Sequence, residues 1–216
     1  MEVSSALAFA QYRESVWNTS ASIHHSFYCI CAINLVSLNM AQVRAAPNIL
    51  VTGTPGVGKS TLCEKLSEAT DLRWLEISKI AKENNCLEEY DPVYKCCVLD
   101  EDKLLDGLEE VMTAGGNIVD YHCCELFPER WFDIVFVLQT DNTTLYDRLT
   151  GRGYEGKKLE DNIDCEIFQT VLEEAKSSYP SNIVHTLTNC NQEELQSNLQ
   201  RIYEWLQQWF QENQQS

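Results

Sequence analysis

An α/β architecture, with five parallel strands between two layers of helices, is predicted by three observations. Five short apolar runs, "NILVT", "LRWLEI", "NIVDY", "DIVFVL" and "NIVHTL", recur from Pro47 onward. A helical or loop segment separates each run from the next, long enough for right-handed crossovers between parallel strands. The chain has 216 residues, 44% of them hydrophobic, enough for one domain with a sizeable core. Sheets of this kind bind ligands beyond the carboxyl ends of their strands.

The elements follow in order. Asn48 to Thr52, between Pro47 and Gly53, is a buried strand, and a helix runs from Ser60 to about Glu68. "LRWLEI" is a second strand, after which Ser78 is placed to cap a short helix to Asn85. Residues 86–99 have no clear period. Asp100 caps a helix that puts Leu104, Leu105, Leu108 and Met112 on one face and ends at Gly115-Gly116. "NIVDY" and "DIVFVL" are β-branched strands. Helices follow over 142–150 and, as one long element, over 162–178. "NIVHTL" is the last strand. The final helix, about 192–211, carries Leu195, Leu199, Ile202, Leu206, Trp209 and Phe210 as a core-facing stripe.

Charge divides the chain. The net charge is -17, yet Glu2, Arg13, Glu14 and Arg44 cancel within residues 1–46, so everything from Pro47 onward carries the excess. The first 46 residues are expected to be a disordered leader, with Met40 as an alternative start just ahead of the first strand. The apolar run from Phe27 to Met40 is too short and polar to span a bilayer, and no positive segment precedes it to make a secretory signal. Broad-surface binding of nucleic acid is disfavoured by the acidic field. Ten cysteines without a Cys-x-x-Cys spacing read as reduced thiols, neither a disulfide framework nor a zinc site.

The chemistry concentrates at Gly53-Thr54-Pro55-Gly56-Val57-Gly58-Lys59-Ser60, a full G-x-x-x-x-G-K-[ST] between a strand and a helix. Its glycines let successive backbone N–H groups turn inward around phosphates, and the following helix aims its positive pole at the same anion. Gly53, Gly56, Val57, Gly58, Lys59, Ser60 and Thr61 are therefore the candidate ATP-phosphate site, with Lys59 as point charge and the Ser60 hydroxyl as a Mg²⁺ ligand. Asp120, ending "NIVDY", is placed for a Walker B acid that orders Mg²⁺ and its waters; an Asp capping the next turn is the plainer alternative. His122 is a candidate for orienting water or the acceptor phosphate, and a structural histidine fits equally. Arg148, Arg152, Lys157 and Lys158, interleaved with Gly151, Gly153 and Gly156, predict a positive glycine-hinged loop closing over ATP, set against a solvated charged turn. The segment after the second strand, with Lys79, Lys82 and Lys95 among acids, is where such a kinase would seat its acceptor.

"NILVTGTPGVGKSTL", "IVDYH", "FPERWFDIVFVL", "RGYEGKKLEDNIDCEIFQ" and "EEA" together resemble the small nuclear adenylate kinases, isoenzyme six in animals, over about Pro47 to Phe210. The resemblance implies an adenylate-kinase-like P-loop domain over 47–213, with a monophosphate-binding segment at 76–99 and a short lid at 151–161. It implies ATP + AMP ⇌ 2 ADP chemistry with Mg²⁺, intrinsic ATPase activity and nuclear and cytoplasmic placement. A role in maturing the small ribosomal subunit and its 18S rRNA, through a basic ribosomal protein on the pre-40S particle, comes with it. By motif, Asp120 and His122 resemble the family's Walker B acid and catalytic histidine, and Arg152 its lid arginine. Lys82 stands where arginine is expected, which loses the bidentate fork toward the acceptor phosphate. Cys123 replaces an expected glycine and Ser60 a threonine.

Overall fold

The structure is a computed structural model that describes residues 44–91 and 96–213. The leader up to residue 43, with its Met40 start, and Lys95 lie outside the described residues. Residues 44–46, expected to belong to the leader, are instead part of the folded domain. Arg44 donates to the Trp131 carbonyl at 2.6 Å and pairs with Asp133, while the Ala46 carbonyl accepts from Gly116 N–H.

In chain order the elements are β1 (Ile49–Thr52), α1 (Lys59–Ala69), β2 (Arg73–Glu76), α2 (Ile77–Glu83), β3 (Leu87–Asp91), β4 (Cys96–Leu99) and α3 (Glu101–Ala114). Then come β5 (Asn117–Asp120), β6 (Ile134–Gln139), α4 (Asn142–Gly151), α5 (Gly156–Ile167), α6 (Thr170–Ser178), β7 (Val184–Thr188) and α7 (Gln192–Asn213). The predicted five-stranded parallel sheet forms in the order β2-β5-β1-β6-β7. β1 is central and buried along its whole length, because side chains on both of its faces meet helices. Leu50, Val119 and Val135 pack with Leu104, Leu108 and Met112 of α3 and with Val171 and Leu172 of α6. Ile49, Val51 and Ile118 face the other way, onto Leu62 and Leu66 of α1 and Ile202 and Leu206 of α7.

Three differences from the sequence-based expectation bear on function. The segment without a clear period contains an antiparallel hairpin, β3 with β4, whose register shifts between Leu87 and Tyr90. The long helix expected over 162–178 is two helices. α5 ends at Ile167, Gln169 takes a left-handed backbone (φ 54°), and α6 begins at Thr170. The expected lid loop is mostly helix, since α4 runs to Gly151 and α5 starts at Gly156, leaving only residues 152–155 between them. Gly156, with φ 55°, opens a helix here and does not hinge a loop. The short α2 also starts earlier than Ser78, with Glu76 at its cap position.

Candidate active site

The parallel register sets the strand ends together. Val51 of β1 and Glu76 of β2 both lie opposite Asp120 of β5, so this carboxylate stands at the edge from which the glycine-rich loop departs. The loop can leave β1 only through glycine. Gly53 has φ 139°, and a Cβ there would collide with the carbonyl oxygen of Leu138. At the far end Gly58, φ 104°, turns the chain into α1, where a Cβ would strike the side-chain amide of Asn189. The N-terminus of α1 therefore points its unpaired N–H groups toward the space enclosed by the loop.

Lys59, the first residue of α1, is buried, and its Nζ donates to the carbonyls of Gly53 at 2.7 Å and Thr54 at 3.1 Å. Burial lowers its pKa to about 8, the nearby Arg152 charge acting in the same direction and Asp120 against it. Burial likewise raises the Asp120 carboxyl above its ordinary value, opposed by Ser60, Lys59 and Trp74. One carboxylate oxygen of Asp120 is buried with no hydrogen-bond partner. An orphaned carboxylate oxygen beside a serine hydroxyl is a set of hard oxygen donors. It fits Mg²⁺, which takes one or two protein oxygens and fills its octahedron with phosphate and water.

A cavity of about 980 Å³ opens over these groups. It brings together Gly56, Gly58, Lys59, Ser60, Thr61, Asp120, His122 and Arg152 with Glu76 and with Ser78, Lys82, Leu87 and Leu99 of α2 and the β3–β4 hairpin. His122 is exposed toward the cavity and stacks on Tyr121 with ring centroids 4.4 Å apart. Desolvation by the surrounding protein and the charge of Lys59 lower its pKa to about 4, so the imidazole is neutral at pH 7.

Three of the sequence-predicted site residues are placed otherwise. Gly53 contributes its carbonyl to Lys59 rather than a surface to the cavity. Val57 is buried in the core, with its N–H donating to the Thr54 carbonyl at 3.3 Å. Arg148 does not line the cavity. Its guanidinium donates to the carbonyls of Gly56, Val57, Asn189 and Cys190, binding the back of the loop to the segment after β7. Lys158 does reach the cavity, lying 4.7 Å over the Tyr154 ring, whereas Lys157 pairs with Asp161. Residues that sequence reasoning did not single out complete the loop's support. Asn189 donates to the Val57 carbonyl at 2.8 Å, and Glu166 accepts from the Thr54 hydroxyl at 2.6 Å. Thr54 occupies a variable position of the glycine motif, and Glu166 lies inside the "CEIF" string, so the only sequence signal for either was membership of a quoted motif.

A phosphate-cradling loop at the carboxyl edge of a parallel sheet ordered β2-β5-β1-β6-β7 defines a P-loop protein of the kinase-like class. Residues 49–169 match a family model described as an AAA domain. An adenylate kinase isoenzyme 6 homolog of Drosophila melanogaster is 53% identical over 163 residues, covering 76% of this chain and 93% of that protein. A homolog of the same name from Caenorhabditis elegans is 50% identical over 165 residues, covering 76% and 91%. The chain belongs to the adenylate kinase isoenzyme 6 family. Its fold is also that of a deoxyadenosine kinase from M. mycoides, solved with products bound. That likeness has a TM-score of 0.52 at 16% identity, over 74% of this chain and 99% of the other.

Proposed function

We propose that this nucleotide kinase transfers the γ-phosphoryl group of ATP, with Mg²⁺, to AMP or a related nucleoside monophosphate. The observation that carries the reading is the shared cavity. It holds a phosphate cradle against a second, lysine-bearing wall formed by α2 and the β3–β4 hairpin.

The residues divide the work as follows. Loop N–H groups and the α1 dipole hold the β- and γ-phosphates, and Lys59 exchanges its loop carbonyls for phosphate oxygens. Ser60 and the unpaired oxygen of Asp120 hold Mg²⁺, directly or through water. Held there, the ion would supply neutralisation of the phosphate charge. Arg152, reaching into the cavity from the 152–155 connection, stabilises charge on the transferring phosphoryl group. His122, neutral at pH 7, orients the attacking oxygen or a water through its ring nitrogens and, as a neutral ring, adds no charge beside Lys59. Lys82 neutralises the acceptor phosphate as a point charge. Positioning and electrostatics supply the rate, with no covalent intermediate.

A second reading is an intrinsic ATPase acting as an assembly switch in small-subunit maturation, in nucleus and cytoplasm. The net charge of -17 supports it, because such a surface complements a basic ribosomal protein. A coupled assay of ATP turnover with and without AMP separates the two. AMP-dependent ADP formation, with ADP arising from both nucleotides, supports the kinase; turnover indifferent to AMP but stimulated by a basic partner supports the switch.

A further inference from the structure

Glu166 is a buried acid that the phosphoryl-transfer chemistry does not use. It is 8% exposed, and neutral groups supply both of its hydrogen bonds. The Thr54 hydroxyl donates to Oε2 at 2.6 Å and the Thr140 backbone N–H donates to Oε1 at 2.8 Å. It sits in the last turn of α5, where the negative pole of a helix disfavours a carboxylate. A buried acid at such a place costs stability unless its hydrogen bonds compensate, so the bonds it makes indicate what holds it there.

Those bonds join three parts of the site. Thr54 is the second residue of the phosphate loop, and its carbonyl is also an acceptor for Lys59 Nζ. Thr140 directly follows β6, the strand whose Leu138 carbonyl packs against Gly53. α5 begins just after the short connection that carries Arg152 into the cavity. Cys165, the neighbour of Glu166, also approaches the Thr54 hydroxyl, at 3.9 Å. Thr54 thus holds Lys59 through its backbone and Glu166 through its side chain, and Glu166 ties both to the helix beyond the lid.

We propose that Glu166 is a positioning residue that locks the phosphate loop to α5, so that the loop, Lys59 and Arg152 keep one relative placement for the ATP phosphates. The inference rests on the ATP-site reading above and concerns how that site is held. The acceptor wall, built from α2 and the hairpin, does not touch this bridge through any hydrogen bond of Glu166. Loss of the bridge is therefore felt by ATP and not by the acceptor.

The test uses the full chain with Thr54→Val, which removes the hydroxyl at nearly constant volume, Thr54→Ser, which restores it, and Glu166→Gln, which keeps the shape. ATP·Mg affinity is read by titration calorimetry, KM for ATP and for AMP by steady-state assay, and Tm by thermal melting. Thr54→Val is expected to weaken ATP binding and raise its KM roughly tenfold (about 1.4 kcal/mol), with KM for AMP within about twofold. Thr54→Ser is expected to recover most of the loss. Adding Glu166→Gln to Thr54→Val is expected to cost less than Glu166→Gln alone costs, because the two share one bond. Unchanged ATP affinity in Thr54→Val overturns the proposal, as does a loss shared equally by both substrates and tracking Tm, or failure of serine to rescue. Lys59→Ala is the control: if it binds ATP as well as the parent, the ATP-site reading falls and this inference with it. If only Thr54→Val does, this inference falls alone.

Discussion

The two sides of the cavity, proposed above to take the phosphoryl donor and its acceptor, are built by opposite means. On the donor side the glycine loop is fixed from behind by side chains from distant parts of the chain, Glu166 on Thr54 and Asn189 and Arg148 on Val57, while Lys59 folds onto the loop's own carbonyls. On the acceptor side Ser78 and Lys82 are exposed on a short helix, and the hairpin behind them has an irregular register. A phosphate cradle needs its N–H groups aimed to within fractions of an ångström, which only a packed support provides. An acceptor wall that closes on its ligand needs fewer fixed contacts. Substitutions on the donor side should therefore cost large factors, and those on the acceptor side small and substrate-specific ones.

The largest effect is expected at Lys59. Lys59→Met should reduce turnover by about 10³-fold, the scale of losing a principal charge-stabilising donor. Its stability should move the other way. The folded-state pKa of about 8 lies below the ordinary 10.5, so the charged ammonium is disfavoured in the fold at pH 7. Methionine removes that cost, and Tm should hold or rise. A Tm that falls with activity would mean the lysine is a structural prop.

His122 comes next. His122→Ala should lower turnover by about 10²-fold, within the usual range for a proton-handling or orienting side chain. Because its ring is exposed to the cavity and carries little core packing, Tm should be unchanged. A matching loss of Tm would return it to a structural role.

How much of this was readable beforehand follows the same division. The strands β1, β5 and β6 were legible because burial on both faces makes them continuous β-branched runs, and the glycine motif announced the loop between β1 and α1. The hairpin was not, because "LEEYD" shows neither a helical period nor a clean alternation. The break at Gln169 was hidden because apolar residues continue at helical spacing across it, from Ile163 to Val171. Arg148 looked like a ligand for ATP because a cation among glycines in an acidic chain has no other visible partner. Its actual acceptors are carbonyls up to 92 residues away. Glu166 was silent for the same reason: Thr54 is 112 residues distant in the chain. Local pattern reports what a segment buries, and it cannot report which distant polar group will meet it.

A smaller effect tests the acceptor side. Lys82→Arg should restore a bidentate fork toward a monophosphate and lower KM for AMP by about threefold, leaving KM for ATP unchanged. An equal change in both constants would place Lys82 on the donor phosphates and erase the distinction between the two walls.

The smallest effect concerns the support beneath His122. The Tyr179 hydroxyl, at the end of α6, donates to the Cys124 carbonyl at 2.6 Å and lies 3.3 Å from that of Phe127, pinning the loop after β5 from below. Tyr179→Phe loses one buried hydrogen bond, about 1 kcal/mol or roughly 2–4 °C in Tm, while turnover at pH 7 stays level. Its signature is in alkali. Burial pushes the Cys124 thiol from 9.0 to about 12 and raises the Tyr179 phenol above its ordinary 10. Above pH 9 the unfolded chain therefore sheds protons that the folded chain retains, and stability present below that pH is lost as pH rises. Lys59, whose pKa is lowered, acts in the opposite sense between pH 8 and 10.5, so the parent's profile is a sum of both. The difference between parent and Tyr179→Phe cancels the lysine and isolates the phenol: melting curves from pH 8 to 11 should fall less steeply for the variant. Parallel profiles would show that the phenol titrates as freely in the fold as in the unfolded chain, and that the loop bearing His122 is held by packing against Phe132 rather than by this bond.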